Sequence, residues 1–94
     1  MASERCTVRV RIAGRVQGVS FRAWTRDEAE RLGLDGWVRN EVDGSVTALL
    51  DGARANVDAM IERLHQGPPT AAVSSVTVEE LDSAEVAAGF RIRS

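Results

Sequence analysis

Residues 6–24, "CTVRVRIAGRVQGVSFRAW", decide the fold, because two periodicities meet inside them. From Cys6 to Ile12 apolar and polar residues alternate. Val8, Val10 and Ile12 face one way and Arg9 and Arg11 the other, which is the period of a half-buried strand. From residue 21 the spacing becomes helical over 21–32, with Phe21, Trp24, Ala29 and Leu32 as apolar contacts and Thr25 and Glu28 near the stripe. Gly33 suits the end of that helix. Strand and helix are joined by a loop holding Gly14, Gly18, Gln17 and Arg15, closed by Arg22.

Outward from this unit the pattern continues. "DGWVRN" (35–40) and "SVTALLDG" (45–52) read as two short strands, and Asp43-Gly44 between them is a turn signal. Residues 54–66 form the clearest helix, with Val57, Met60, Ile61 and Leu64 at i, i+3, i+4 and i+7. "GPP" (67–69) stops it. "AAVSSVTVEEL" (71–81) is a fourth strand and "FRIRS" (90–94) a short last one. The order β-α-β-β-α-β plus a terminal strand predicts an α+β, ferredoxin-like fold: two helices on one face of a mostly antiparallel sheet. With no repeat or linker, residues 1–94 read as a single domain.

Composition narrows the chemistry. The net charge of −2 provides no global basic field for nucleic acid or anionic lipid. All twelve basic residues are arginine, so lysine Schiff-base chemistry and lysine-dependent nucleotide sites are excluded. One cysteine and one histidine, far apart in sequence, do not make a metal site. No apolar run approaches the ~20 residues that span a bilayer. The first residues carry no apolar signal core, and a lone cysteine suits a reducing compartment; a cytoplasmic location and a monomer are expected.

The loop admits two readings from its residues alone. In the plainer one, Gly14 and Gly18 permit turns and Arg22 is a solvated helix residue. In the other, the loop binds an anion. A strand-to-helix turn leaves backbone N–H groups without partners, glycines let them converge, and the helix dipole adds partial positive charge. Arg22, in the first helical turn, tilts back over the loop, where its planar fork can clamp phosphate or sulfate. Neither the Walker A nor the three-glycine dinucleotide pattern is present.

Three stretches, "GRVQGVSFR" (14–22), "LGLDGWVRNEVDGSV" (32–46) and "GPPTAAVSSV" (67–76), make the chain resemble the acylphosphatase family across about residues 7 to 93. The resemblance implies a ferredoxin-like enzyme that hydrolyses the carboxyl–phosphate anhydride of small acyl phosphates without metal or cofactor. By position it implies phosphate binding by Arg22 and by the backbone amides of Arg15, Val16, Gln17, Gly18, Val19 and Ser20, and it implies water placement by Asn40. Asn40 would meet the loop of the neighbouring strand. Inorganic phosphate or sulfate would compete with substrate; no nucleic acid or membrane partner is implied. Ser20, Ala23 and Thr47 depart from the family's usual glycine, aromatic residue and acid, which bears on rate rather than on reaction type.

The remaining candidates have blander readings. His65 closes the second helix, where the dipole favours a cation. Cys6 shares the parity of Val8 and reads as a buried thiol. Trp24 and Trp37 read as packing residues, and Arg9 and Arg11 as cover for the open sheet face. An anion-sensing domain on the same fold is the rival function. Asn40 separates the two, because hydrolysis needs it and sensing does not.

Overall fold

The alternation at residues 6–12 becomes the central element of the molecule. The structure, a computed structural model, describes residues 4–82 and 86–94. In it β1 (Arg5–Arg15) is followed by α1 (Phe21–Arg31), β2 (Asp35–Asn40), β3 (Val46–Ala53), α2 (Arg54–Gln66), β4 (Ala72–Leu81) and β5 (Phe90–Arg93). The strands lie in the order β4-β1-β3-β2-β5, antiparallel except that β5 runs parallel to β2. This is the expected ferredoxin-like arrangement, with the extra strand added at the β2 edge.

The sheet's inner face carries Val8, Val10, Ile12, Val38, Val46, Ala48 and Leu50, all nearly inaccessible. Against it α2 packs Val57, Met60 and Leu64, as its periodicity predicts, with Ile61 half-buried beside them. In α1 the buried row is Phe21, Thr25 and Ala29, at i, i+4 and i+8; Trp24 and Leu32 pack at its margin. The polar Thr25 therefore takes a core position expected of an apolar residue, and nothing in its surroundings explains its unpartnered hydroxyl. The end of α1 follows the predicted pattern. The amide of Leu34 donates to the Ala29 carbonyl at 2.9 Å and that of Gly33 to Glu30 at 3.1 Å, a Schellman pair that consumes two terminal carbonyls.

On the open face, Arg9 pairs with Glu79 at 2.5 Å and Arg11 with Asp43, while Arg39 stacks over the Trp37 ring at 4.9 Å. Thr7, Thr47 and Leu49 on this face are nonetheless buried. Their cross-strand neighbours are Arg9 and Trp37 for Leu49 and Arg11 and Arg39 for Thr47.

Two features of the sheet set up the site. The first is a register shift in the β1–β4 pairing between Ala13 and Gly14. Gly14 has φ +125°, and a Cβ there would lie 2.2 Å from the Ala72 carbonyl oxygen, so only glycine can carry the chain past β4. The second is strand order. Ile12 pairs with Val46 and Val46 with Asn40, so the ends of β1 and β2 lie level at one rim of the sheet with β3 between them. The neighbour expected beside Asn40 is thus not β1. Two strand spacings, about 10 Å, separate β1 from β2, and the loop after β1 must cross the end of β3 to reach Asn40.

Candidate active site

The loop between β1 and α1 keeps its backbone donors unused. None of the N–H groups from Val16 to Ala23 donates to a protein acceptor among the described residues; the first that does is Trp24, to the Ser20 carbonyl at 3.0 Å. Ser20 stands at the N-cap, where a hydroxyl usually accepts from the first turn. Here it lies at φ 62°, left-handed, and makes no capping bond. The first turn of α1 contains no acid either. A non-glycine residue held left-handed costs about 1–2 kcal/mol, so other contacts must hold the loop in place. Thr70 supplies one, its hydroxyl donating to the Val19 carbonyl at 2.9 Å.

Gln17, whose side chain had no assignment from the sequence, supplies the others. Its Nε2 donates to the Glu41 carbonyl at 2.8 Å and to the Ser45 carbonyl at 2.9 Å. This is how the loop spans the end of β3. The only sequence signal for it was a long carboxamide in the middle of a glycine-bounded loop.

A cleft of ≈ 200 Å³ opens at this rim, lined by Val16, Gly18, Ser20, Phe21, Arg22, Ala23, Asn40 and Ile92. It brings Arg22 and Asn40 together with three of the six loop residues singled out above; Arg15, Gln17 and Val19 do not line it. Arg22 is fixed by Nη1, which donates to the Arg93 carbonyl of β5 at 3.1 Å. That contact had no sequence signal, because it joins residues seventy-one positions apart.

Asn40 has the same parity on β2 as Gly36 and Val38, which turns it toward the helix layer. Its Oδ1 is buried and accepts no hydrogen bond from the described residues. An unpaired buried acceptor costs about 1–3 kcal/mol, and this one belongs to a residue that lines the cleft.

The turn after Asn40 is hydrogen-bonded within itself by contrast. Glu41 N–H donates to the Ser45 carbonyl at 2.8 Å, and Asp43 Oδ1 accepts from the Ser45 amide at 3.0 Å and from its hydroxyl at 2.6 Å. The Ser45 bonds hold the Asp43 carboxyl below its ordinary range. The Thr47 hydroxyl and then Arg39 do the same for Glu41.

Comparison with known proteins now bears on the geometry. The acylphosphatase family model matches residues 8–92. This chain belongs to the acylphosphatase family. It is 61% identical over 92 residues to the acylphosphatase of Rhizobium meliloti, covering 98% of this chain and 97% of that protein. It superposes on an acylphosphatase from Coxiella burnetii with a TM-score of 0.90 at 42% identity, covering 95% and 93% of the two chains. For the Bacillus subtilis acylphosphatase the TM-score is 0.91 at 35% identity, covering 95% and 99%. Hydrolysis of acyl phosphates is the activity of this acylphosphatase.

Other candidates fall outside this cleft. His65 is exposed in the last turn of α2. Cys6 is buried on β1, and desolvation pushes its thiol pKa up, away from nucleophilic use. Among the described residues, no three of His, Cys, Asp or Glu come together as metal ligands. No helix of the described residues is long and apolar enough to cross a membrane.

Proposed function

We propose that this acylphosphatase holds the phosphoryl group of its substrate on the amides of residues 15–20 and the guanidinium of Arg22, and that Asn40 orients the attacking water. The observation that carries this reading is the convergence on one cleft of an uncapped amide run, an arginine and an asparagine with an unpaired buried oxygen.

An acyl phosphate leaves as a carboxylate, a weak base that needs little protonation. What the protein must supply is charge stabilisation on the phosphoryl oxygens and placement of the nucleophile. The amides and the planar fork of Arg22 provide the first. Asn40 is no general base at neutral pH, but its side-chain oxygen accepts a hydrogen bond from water and aims the water's lone pair at phosphorus. The water oxygen bonds to phosphorus, the P–O bond to the carboxylate breaks with its electron pair, and the water's proton passes to a phosphate oxygen. The histidine-free cleft is compatible with this route.

The same reading makes inorganic phosphate and sulfate competitive ligands and needs no metal or cofactor. It also treats the enzyme as a monomer, and the lone buried thiol favours the reducing cytoplasm.

One variant tests the reading against anion sensing. Asn40→Ala should lower turnover of benzoyl phosphate about a hundredfold, while phosphate affinity stays within about twofold of the parent. Retained turnover refutes the role, and joint loss of binding and turnover moves Asn40 into the cradle. In the same assay, excess chelator should leave the parent's rate unchanged. Activity lost to chelation and restored by one added metal would overturn the metal-free route.

A further inference from the structure

The amide loop and Asn40 sit on strands that do not touch, so something must fix one relative to the other. The loop leaves β1, Asn40 ends β2, and β3 lies between. Among the described residues, the only side-chain hydrogen bonds joining residues 15–20 to residues 40–46 come from Gln17.

Both bonds come from one NH2 group and end on carbonyls that frame the turn directly after Asn40. Each carbonyl already accepts one amide of that turn: Ser45 from Glu41 at 2.8 Å, and Glu41 from Gly44 at 3.2 Å. The Gln17 carboxamide adds the second donor to each. A glutamine is long enough to reach them and has two hydrogens in a fixed plane; a glutamate would offer no donor.

We infer that Gln17 is a positioning residue: its side chain sets the placement of Asn40 against the phosphate held by the loop. This rests on the reading of Asn40 as the water-orienting group. The backbone amide of Gln17 belongs to the loop's proposed cradle, but the side chain acts on the other half of the site. Misplacing a nucleophile by about 1 Å can cost on the order of a hundredfold in rate, so loss of the tether acts on turnover rather than on anion binding.

The test is a double-mutant cycle on the full chain. Gln17→Met keeps length and removes both donors. Gln17→Leu, a second donor-free side chain, is run beside it so that a folding defect in one is not mistaken for the result. Benzoyl phosphate turnover and competitive inhibition by inorganic phosphate are measured for the parent, each Gln17 variant, Asn40→Ala and the combinations, after urea titration shows which are folded.

The Gln17 variants should lose about ten- to hundredfold in kcat, with the phosphate inhibition constant changed by less than about threefold. In the Asn40→Ala background the further loss should vanish, because the group being positioned is gone. Turnover within about twofold of the parent overturns the inference. So does an equal loss in both backgrounds, which would mean a general structural role, and so does a loss of phosphate affinity that matches the loss of rate. If Asn40→Ala itself keeps the parent rate, the reading of Asn40 fails instead. That result is distinct from a Gln17 variant that stays active while Asn40→Ala does not.

Discussion

The loop at residues 16–20 and the turn at residues 41–45 stand at the same rim of the sheet and treat their polar backbone in opposite ways. In the turn, the amides of Glu41, Gly44 and Ser45 all find acceptors within five residues, and Asp43 closes it. In the loop, the amides find no protein acceptor, the N-cap side chain makes no capping bond, and Ser20 is held left-handed. Its tethers tie it to other parts of the chain: Thr70 donates to its Val19 carbonyl, and its own Gln17 donates to the Glu41 and Ser45 carbonyls. A turn that satisfies itself is a stability element. A loop that leaves its donors open, and is held by other parts of the chain, is what the proposed phosphate cradle requires.

The largest expected effect breaks the binding side of this contrast. Arg22→Ala should lower turnover about a thousandfold, equivalent to ~4 kcal/mol of barrier, and weaken phosphate binding in parallel while the unfolding midpoint barely moves. Arg22→Lys should recover little, since a point charge lacks the planar fork. Phosphate titration and steady-state hydrolysis on both variants check this, and unchanged phosphate affinity would move the anion site elsewhere.

Next comes the entry to the loop. Gly14→Ala places a Cβ against β4 backbone at a positive φ, and should cost ~3 kcal/mol or more of folding stability by urea denaturation. A stable Gly14→Ala protein would show that the bulge can relax.

The smallest effects belong to the self-satisfied turn. Ser45 is buried, and Ser45→Ala removes its bond to Asp43 at a cost of ~1 kcal/mol, with phosphate affinity unchanged. If anion affinity falls as well, the two regions are less separable than their hydrogen bonds suggest.

The turn also carries an acid-side signature. Asp43 and Glu41 are held below their ordinary pKa values, so their contribution is present above the unfolded values, about 3.9 and 4.3, and is lost as the pH falls below them. Unfolding measured between pH 3 and 6 should therefore show a fall in stability at the acid end that Asp43→Asn and Glu41→Gln flatten.

Much of this was legible in local pattern. The alternation through Val8, Val10 and Ile12, the helical row of Val57, Met60 and Leu64, the stop at Gly67 and the Asp43-Gly44 turn each express a preference that a few neighbouring residues settle. Thr25 was not legible, since its burial follows from how α1 rotates onto the sheet, which a hydroxyl in the sequence argues against. From the residues alone Arg22 had two open readings, a solvated cation or an anion clamp, and resemblance to a family favoured the second; Asn40 could be named only through that resemblance.

By itself the sequence determined the elements, the turn chemistry and the short menu of reactive groups, because these depend on spacing and side-chain type over a few residues. The tertiary structure alone decided that β3 separates β1 from β2, that Gln17 bridges the gap, and that β5 lies parallel to β2 with the Arg93 carbonyl on Arg22. The Gln17 and Arg22 bonds join positions 24 to 71 apart. No local periodicity encodes them, since each arises only when the whole sheet has closed and the backbone groups at its rim must find partners.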